Sequence, residues 1–291
     1  RDRIVLHSLK EMLFEIFPEC KPRRLANTYI RDIKEHIKNS DKSYSEISII
    51  RTDIATFYDS IDRNILFKKL KQRIKSRRIL ALIQRAIETP TVPKNYHRKE
   101  IRQYYSSQGI PQGLSISNIL ASIYLHQLDS EMEKTDSVNI YYRYVDDILI
   151  FANKENIDKI EKIFRNKIKI INLKINEEKT EKTSLDKEFE YLGYRFESEK
   201  ITVRTSTIEK FIHSIAAKFT SYTYNREKRL SKIQKRNKGL KHNPAVEKLK
   251  EIFVEELNEK ITGAISEKKD MAGYFTLVES LINLFYTRLT I

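Results

Sequence analysis

The 291-residue sequence contains no Trp and a single Cys, Cys20. One Cys excludes an internal disulfide and suits a reducing compartment. Together with only six scattered His, it also leaves no ligand set for a zinc finger. No apolar run reaches the roughly 18 residues that a membrane-spanning helix requires, and a signal-peptide pattern is absent. A soluble, intracellular protein without a membrane partner is expected. Internal repeats and low-complexity tracts are also missing. The sequence opens on Arg1 rather than Met, so further residues upstream are expected.

What is abundant is positive charge. Lys and Arg number 55 against 40 Asp and Glu, giving a formal net charge of +15 and a pI near 9.6. That balance, with 16 Tyr, points to a polyanionic partner. The length allows one large domain or two.

Apolar periodicity places the elements. Ile4, Val5, Leu9, Leu13, Ile16 and Phe17 predict a helix within residues 1–20, and 22–38 a second. Residues 46–54 read as a buried strand ending at Asp53. Residues 63–88 return to helical period, with a basic face of Lys68, Lys69, Lys71, Arg73, Lys75, Arg77 and Arg78. Residues 89–107 are extended or looped, and 107–113 form a turn-rich loop leading into a helix over about 114–132. The run Tyr141-Tyr142-Arg143-Tyr144-Val145-Asp146-Asp147-Ile148-Leu149-Ile150-Phe151 predicts two strands with the acids at their turn. An amphipathic helix follows over 155–172, then a short extended piece at 173–176. Residues 188–196 and 201–203 predict a small hairpin. From about Thr205 the chain becomes helical and charged, with a basic stretch Arg226–Lys241 and an apolar helix around 274–289, so a boundary is placed near residue 204. The order is α+β, a small antiparallel sheet with helices on one side.

The acids carry the chemistry. Adjacent carboxylates in an apolar setting are costly to bury unless neutralised, although a solvated acidic turn fits Asp146-Asp147 equally well in isolation. Brought together with Asp53 at a sheet edge, the three could hold two Mg²⁺ ions about 4 Å apart for in-line displacement at phosphorus. Such ions bind jointly through carboxylates and substrate phosphates.

Five segments in order, spanning about residues 47–205, resemble the motifs of bacterial reverse transcriptases related to group II intron, retron and defence-associated enzymes. They are Asp53-Ile54-Ala55-Thr56-Phe57-Tyr58-Asp59-Ser60-Ile61-Asp62, Gln108-Gly109-Ile110-Pro111-Gln112-Gly113-Leu114-Ser115, Tyr144-Val145-Asp146-Asp147, Lys174-Ile175-Asn176-Glu177-Glu178-Lys179-Thr180 and Tyr191-Leu192-Gly193-Tyr194. The resemblance implies a right-hand polymerase fold: partial helical fingers at 1–46, an antiparallel-sheet palm at 47–204 with an interleaved fingers segment at about 63–107, and a helical thumb at 205–291. Asp53 and Asp146 would bind both Mg²⁺ ions, Asp147 would assist, and the Ile54 carbonyl would be a further ligand. Tyr58 would be the steric gate that excludes a 2′-hydroxyl, and Gln112 and Gly113 would contact the nucleotide. Lys179 would donate a proton to departing pyrophosphate, with Lys174 and Lys182 as competitors. Tyr191, Leu192 and Gly193 would support the primer end.

The implied activity is RNA-directed DNA polymerisation from deoxynucleotides in the bacterial cytoplasm, on an RNA template with a DNA product. Lys260–Ile265 and Gly273-Tyr274-Phe275 resemble a C-terminal pattern of defence-associated and abortive-infection enzymes, which implies an anti-phage role with a dedicated non-coding RNA. Arg226, Lys228, Arg229, Lys232, Lys235, Arg236 and Lys238 would contact a template–primer backbone. Alternatives on the same fold are a template-independent or protein-primed DNA polymerase, a mobile-element reverse transcriptase, and an inactive RNA-binding scaffold. RNase H-like and endonuclease motifs are absent. The first finger strands of the family also have no counterpart, so a missing finger segment or another protein subunit is expected to complete the fingers.

Overall fold

The computed structural model describes residues 2–22, 26–39, 43–93, 95–198, 200–236 and 244–262. In chain order, helix α1 (Asp2–Ile16) buries Leu9 and Leu13 one turn apart, and α2 (Ala26–Lys38) buries Ile30, Ile33 and Ile37 at the same spacing. Strand β1 (Ile47–Asp53) is followed by a four-residue turn of helix, α3 (Phe57–Ser60). The single helix expected over 63–88 is two, α4 (Arg63–Arg73) and α5 (Arg77–Ile87). Each has its own cap: Asp62 accepts hydrogen bonds from the backbone N–H groups of Asn64 and Ile65, and Ser76 from that of Ile79. Residues 98–104 form a 3₁₀ segment inside the expected loop. Helix α6 (Ser117–Glu133), strands β2 (Val138–Tyr144) and β3 (Asp147–Asn153), and helix α7 (Ile157–Ile170) follow. Strand β4 (Glu181–Ser184), absent from the sequence reading, precedes β5 (Phe189–Tyr191), β6 (Tyr194–Glu197) and β7 (Lys200–Val203). Helices α8 (Thr205–Arg236) and α9 (Pro244–Thr262) complete the described chain.

The main sheet has the order β2-β3-β1-β4, antiparallel throughout. Its two central strands read as nearly continuous Ile, Leu and Phe because both faces are covered. On one face Ile50, Ile54, Ile148, Ile150 and Ala152 join the buried residues of α1, α4, α5, α6 and α7. On the other, Ile47, Ile49, Leu149 and Phe151 meet α2 and the small sheet β5-β6-β7, where the Phe189 and Phe196 rings stack at 4.7 Å. Helices on one side alone, as expected from sequence, is therefore corrected to layers on both sides.

The described chain divides into two compact units, one ending at Thr202 and the other beginning at Val203. In the second, α8 and α9 pack through Phe219 against Phe253 at 5.0 Å, Tyr222 stacked on Phe253 at 4.4 Å, and a Lys218–Glu256 ion pair. The apolar helix expected around 274–289 lies outside the described residues. No helix among the described residues is long and apolar enough to cross a membrane.

The loop between α5 and α6 is held tightly at its base. The Gly109 N–H donates to the Ile61 carbonyl and Ile110 N–H to the Tyr58 carbonyl, both at 2.8 Å. Gly109 has φ +76°, and a Cβ there would lie 2.6 Å from the Asp59 carbonyl oxygen; at Gly113, φ +88°, a Cβ would meet nothing within 4 Å. Gly109→Ala therefore combines a clash with backbone strain, whereas Gly113→Ala carries strain alone, about 1–3 kcal/mol. Chemical denaturation is expected to show the larger stability loss for Gly109→Ala.

Candidate active site

The register sets the site. In the β1–β3 pairing Asp53 is the direct partner of Asp147, and in the β2–β3 pairing Tyr144 is the partner of the same Asp147. The hairpin loop is thus Val145-Asp146, with Asp147 the first residue of β3 rather than part of the turn. Val145 has φ +61°, a left-handed conformation that costs a β-branched residue about 1–3 kcal/mol. Two-residue hairpin loops favour positive φ because it matches the twist of the flanking strands.

Three successive carbonyls fix the backbone here. The Val145 carbonyl accepts from Arg143 Nη1 at 2.8 Å, that of Asp146 from the Ile54 N–H at 3.3 Å, and that of Asp147 from the Tyr191 hydroxyl at 3.4 Å. Arg143 is itself anchored on α6. Its Nε and Nη2 reach both oxygens of Asp129 at 2.7 and 2.5 Å, and Tyr141 donates to the same carboxylate at 2.9 Å.

The acids are poorly compensated. Asp53 is 8% exposed, and its Oδ1 is buried without a hydrogen bond. Its Oδ2 accepts from Lys179 Nζ at 2.7 Å. Burial, then the charge of Asp146, pushes the Asp147 carboxyl above its ordinary pKa; Asp53 adds to this, while Arg51 and Lys179 oppose it. The hydrogen bond to Asp53 raises Lys179 in turn. An orphaned buried carboxylate oxygen beside a crowded second acid suits a hard divalent cation, which takes oxygen ligands. Among the described residues no preformed group of three acid, His or Cys ligands exists, so a bound ion would need ligands from substrate as well. The residues that fit it are Asp53, Asp146 and Asp147.

Lys179 arrives because the 174–180 segment is laced to the end of β1. Ala55 N–H donates to the Lys174 carbonyl at 2.9 Å, Asn176 N–H to the Asp53 carbonyl at 2.8 Å, and Ile54 bridges Ile175. The Thr52 and Thr180 hydroxyls meet at 2.7 Å. Lys182 is engaged elsewhere, with Asp158 at 2.6 Å and Glu161 at 3.0 Å, and Lys174 is exposed.

Tyr58, on α3, donates its hydroxyl to Asn118 Oδ1 at 2.6 Å. Burial and the charge of Asp146 raise its pKa and keep it a donor. Gln112 and Gly113 are exposed just after Ile110, whose N–H bonds the Tyr58 carbonyl; no hydrogen bond among the described residues joins Gln112 to the acids. Leu192 and Gly193 form the two-residue turn between β5 and β6, and Tyr191 is the member of that motif that touches the acid strand.

Arg143, Asp129 and Arg63 belong to no motif in the sequence. Arg63 clamps the loop by donating to the carbonyls of Gly109, Ser106 and Ile87 at 2.7, 2.7 and 2.9 Å. The available signal was a lone Arg inside an aromatic strand and a lone Asp in an apolar helix, each of which requires a partner once buried. The basic run of 68–78 is not one free face. Lys69 lies over the Tyr124 ring at 6.0 Å, Arg73 pairs with Glu19 at 2.7 Å, and Lys75 folds back on the carbonyls of Lys71 and Gln72. In α8, Arg226 and Lys228 are exposed; Arg229, Lys232, Lys235 and Arg236 lie on the same helix, and Lys238 lies outside the described residues.

Because folding raises the Asp147 pKa, its contribution favours the fold while the group is protonated and is lost as pH rises through the folded value. Asp147→Asn is therefore expected to raise the melting temperature at pH 7 in chelator. The gain should vanish as pH falls below the ordinary carboxylate value, about 3.9.

A family model described as reverse transcriptase (RNA-dependent DNA polymerase) matches residues 2–196. An uncharacterized 91 kDa protein in the cob intron of Schizosaccharomyces pombe is 33% identical over 136 residues, 46% of this chain and 15% of that protein. The group II intron-encoded protein LtrA of Lactococcus lactis is 30% identical over 129 residues, 44% of this chain and 19% of that protein. The structure of telomerase from Candida tropicalis in complex with a TWJ fragment of telomeric RNA shares the fold at a TM-score of 0.51 and 14% identity, covering 96% of this chain and 53% of that chain. This chain thus spans between 15% and 53% of the length of these three proteins. A match over two thirds of the sequence, on the strands that carry the acids, settles the family: the chain belongs to the reverse transcriptases.

Proposed function

We propose that the chain is an RNA-directed DNA polymerase whose acids work with two Mg²⁺ ions. The observation that carries this reading is the in-register pairing of Asp53 with Asp147 beside the Asp146 turn, with one buried Asp53 oxygen left unpaired. Asp53 and Asp146 would hold both ions, with Asp147 and the Ile54 carbonyl assisting. Paired Mg²⁺ ions, when bound, activate the attacking 3′-hydroxyl and stabilise the leaving oxygen in an in-line displacement. The chain's own residues orient and select. Tyr58 excludes the 2′-hydroxyl, Gln112 and Gly113 seat the nucleotide, and Lys179 turns from Asp53 to the departing pyrophosphate. Exposed basic residues of α8, beginning with Arg226 and Lys228, hold the template–primer backbone in a salt-sensitive manner. The domains are those of a hand, with partial fingers at 1–46, a palm at 47–204 and a thumb at 205–291.

The role we assign is bacterial, cytoplasmic anti-phage defence with a dedicated non-coding RNA template. Its support is the sequence resemblance at Lys260–Ile265 and Gly273–Phe275, and the absence of any possible internal disulfide. Loss of phage protection in cells carrying Asp146→Ala is the expected outcome; undiminished protection would contradict the role.

Primer extension with Mg²⁺ and deoxynucleotides tests the chemistry. Product is expected only when RNA template is supplied, and Asp53→Ala or Asp146→Ala should reduce it by about 100-fold or more, the loss typical of removing one preorganised electrostatic group. Labelled product formed without RNA would overturn the templated reading. Tyr58→Ala should retain synthesis while raising ribonucleotide use relative to deoxynucleotide use, read as the ratio of the two kcat/KM values.

A further inference from the structure

We propose that the Asp129–Arg143 pair is a positioning device for the acid turn, holding Val145 left-handed so that Asp53, Asp146 and Asp147 present a competent cation site. The proposal rests on the metal-dependent reading above and adds residues outside its acids.

Arg143 is the second residue before the Val145-Asp146 loop, and its three donor nitrogens are all used: Nε and Nη2 on Asp129, Nη1 on the Val145 carbonyl. The side chains of Arg143 and Asp129 are 12% and 17% exposed, so water does not readily replace a lost bond. A buried ion pair by itself contributes little that an apolar pair of similar volume would not. What only a guanidinium supplies is a rigid fork that serves both carboxylate oxygens and a carbonyl at once. Here the third arm ends on the carbonyl of the residue with φ +61°, a conformation that the two-residue loop favours and that the bond from Arg143 holds in place. Asp129 stands on α6, whose first residue Ser117 donates to the Pro111 carbonyl at 2.6 Å. The nucleotide loop and the acid turn are therefore both referred to one helix.

The test compares wild type with Arg143→Lys, Asp129→Asn/Arg143→Met and Val145→Gly/Arg143→Lys. Mn²⁺ binding is read from the electron paramagnetic resonance of free Mn²⁺ with template–primer and an unreactive deoxynucleotide analogue present, against a protein-free control; folding is read by thermal melting in chelator, and synthesis by primer extension on RNA. Arg143→Lys keeps the charge but not the fork, and the double replacement removes both buried charges so that the fold does not carry an unpaired one. Both are expected to weaken Mn²⁺ binding by about 10–100-fold, the range for residues that orient ligands, and to lower kcat similarly while leaving nucleotide KM nearly unchanged. Val145→Gly, which adopts positive φ without side-chain strain, should restore part of the Mn²⁺ affinity to Arg143→Lys. A lowered melting temperature with Mn²⁺ affinity unchanged would make the pair merely structural and overturn the proposal. Asp146→Ala separates the two levels. If it leaves Mn²⁺ binding and synthesis intact, the metal reading fails; if it abolishes them while the Arg143 variants match wild type, only the positioning role fails.

Discussion

Crowded negative charge at the ends of two paired strands is the constraint on which the rest of the structure depends. Antiparallel register makes Asp53 and Asp147 direct neighbours, and the next residue back in the chain is a third acid. Burial and mutual repulsion disfavour that arrangement, as the raised pKa of Asp147 shows. A fold that only needed to be stable would place Asn or Thr there. Lys179 and Arg51 offset part of the repulsion, yet one oxygen of Asp53 stays unpaired. That uncompensated charge is what a divalent cation would neutralise, with substrate supplying further oxygen ligands.

Holding such a turn in place falls to the surrounding layers. Both faces of the central strands are buried in separate apolar clusters, which forbids a register slip, since a shift by one residue would exchange the two sets of side chains. The three carbonyls of Val145, Asp146 and Asp147 are fastened from three different elements: β2 itself, the residue after β1, and β5. With the backbone fixed, the freedom left at the site belongs to the carboxylates and to the exposed Lys179. That division suits the proposed centre, in which substrate would complete the cation site.

Much of this was legible in the sequence, and the exceptions have physical causes. The strand ending at Asp53 and the hairpin around Asp146 announce themselves as apolar, β-branched runs cut by acids. Helices α6 and α7 follow from their periodicity within about three residues at each end. Strand β4 was invisible because Glu181-Lys182-Thr183-Ser184 is an edge strand, where neither burial nor alternation is imposed. The break between α4 and α5 was signalled only by Ser76, whose capping role depends on the following backbone. The two-sided layering was hidden because apolar periodicity marks which side of α2 and of the Phe189–Phe196 hairpin is buried, but not which face of the sheet each covers. At the site, the carboxylates stood out by residue type and Tyr58 only through the family resemblance, but the Asp129–Arg143 link joins residues that no motif spacing connects.

The account stands most directly on whether the acids take up metal when substrate is present. An anomalous difference map from crystals grown with Mn²⁺, an RNA–DNA template–primer and an unreactive deoxynucleotide analogue tests this at the atoms concerned. The account predicts peaks between Asp53 and the Asp146-Asp147 turn, with Lys179 Nζ released from Asp53. Nucleotide bound with no peak there, and Lys179 still paired with Asp53, would contradict it.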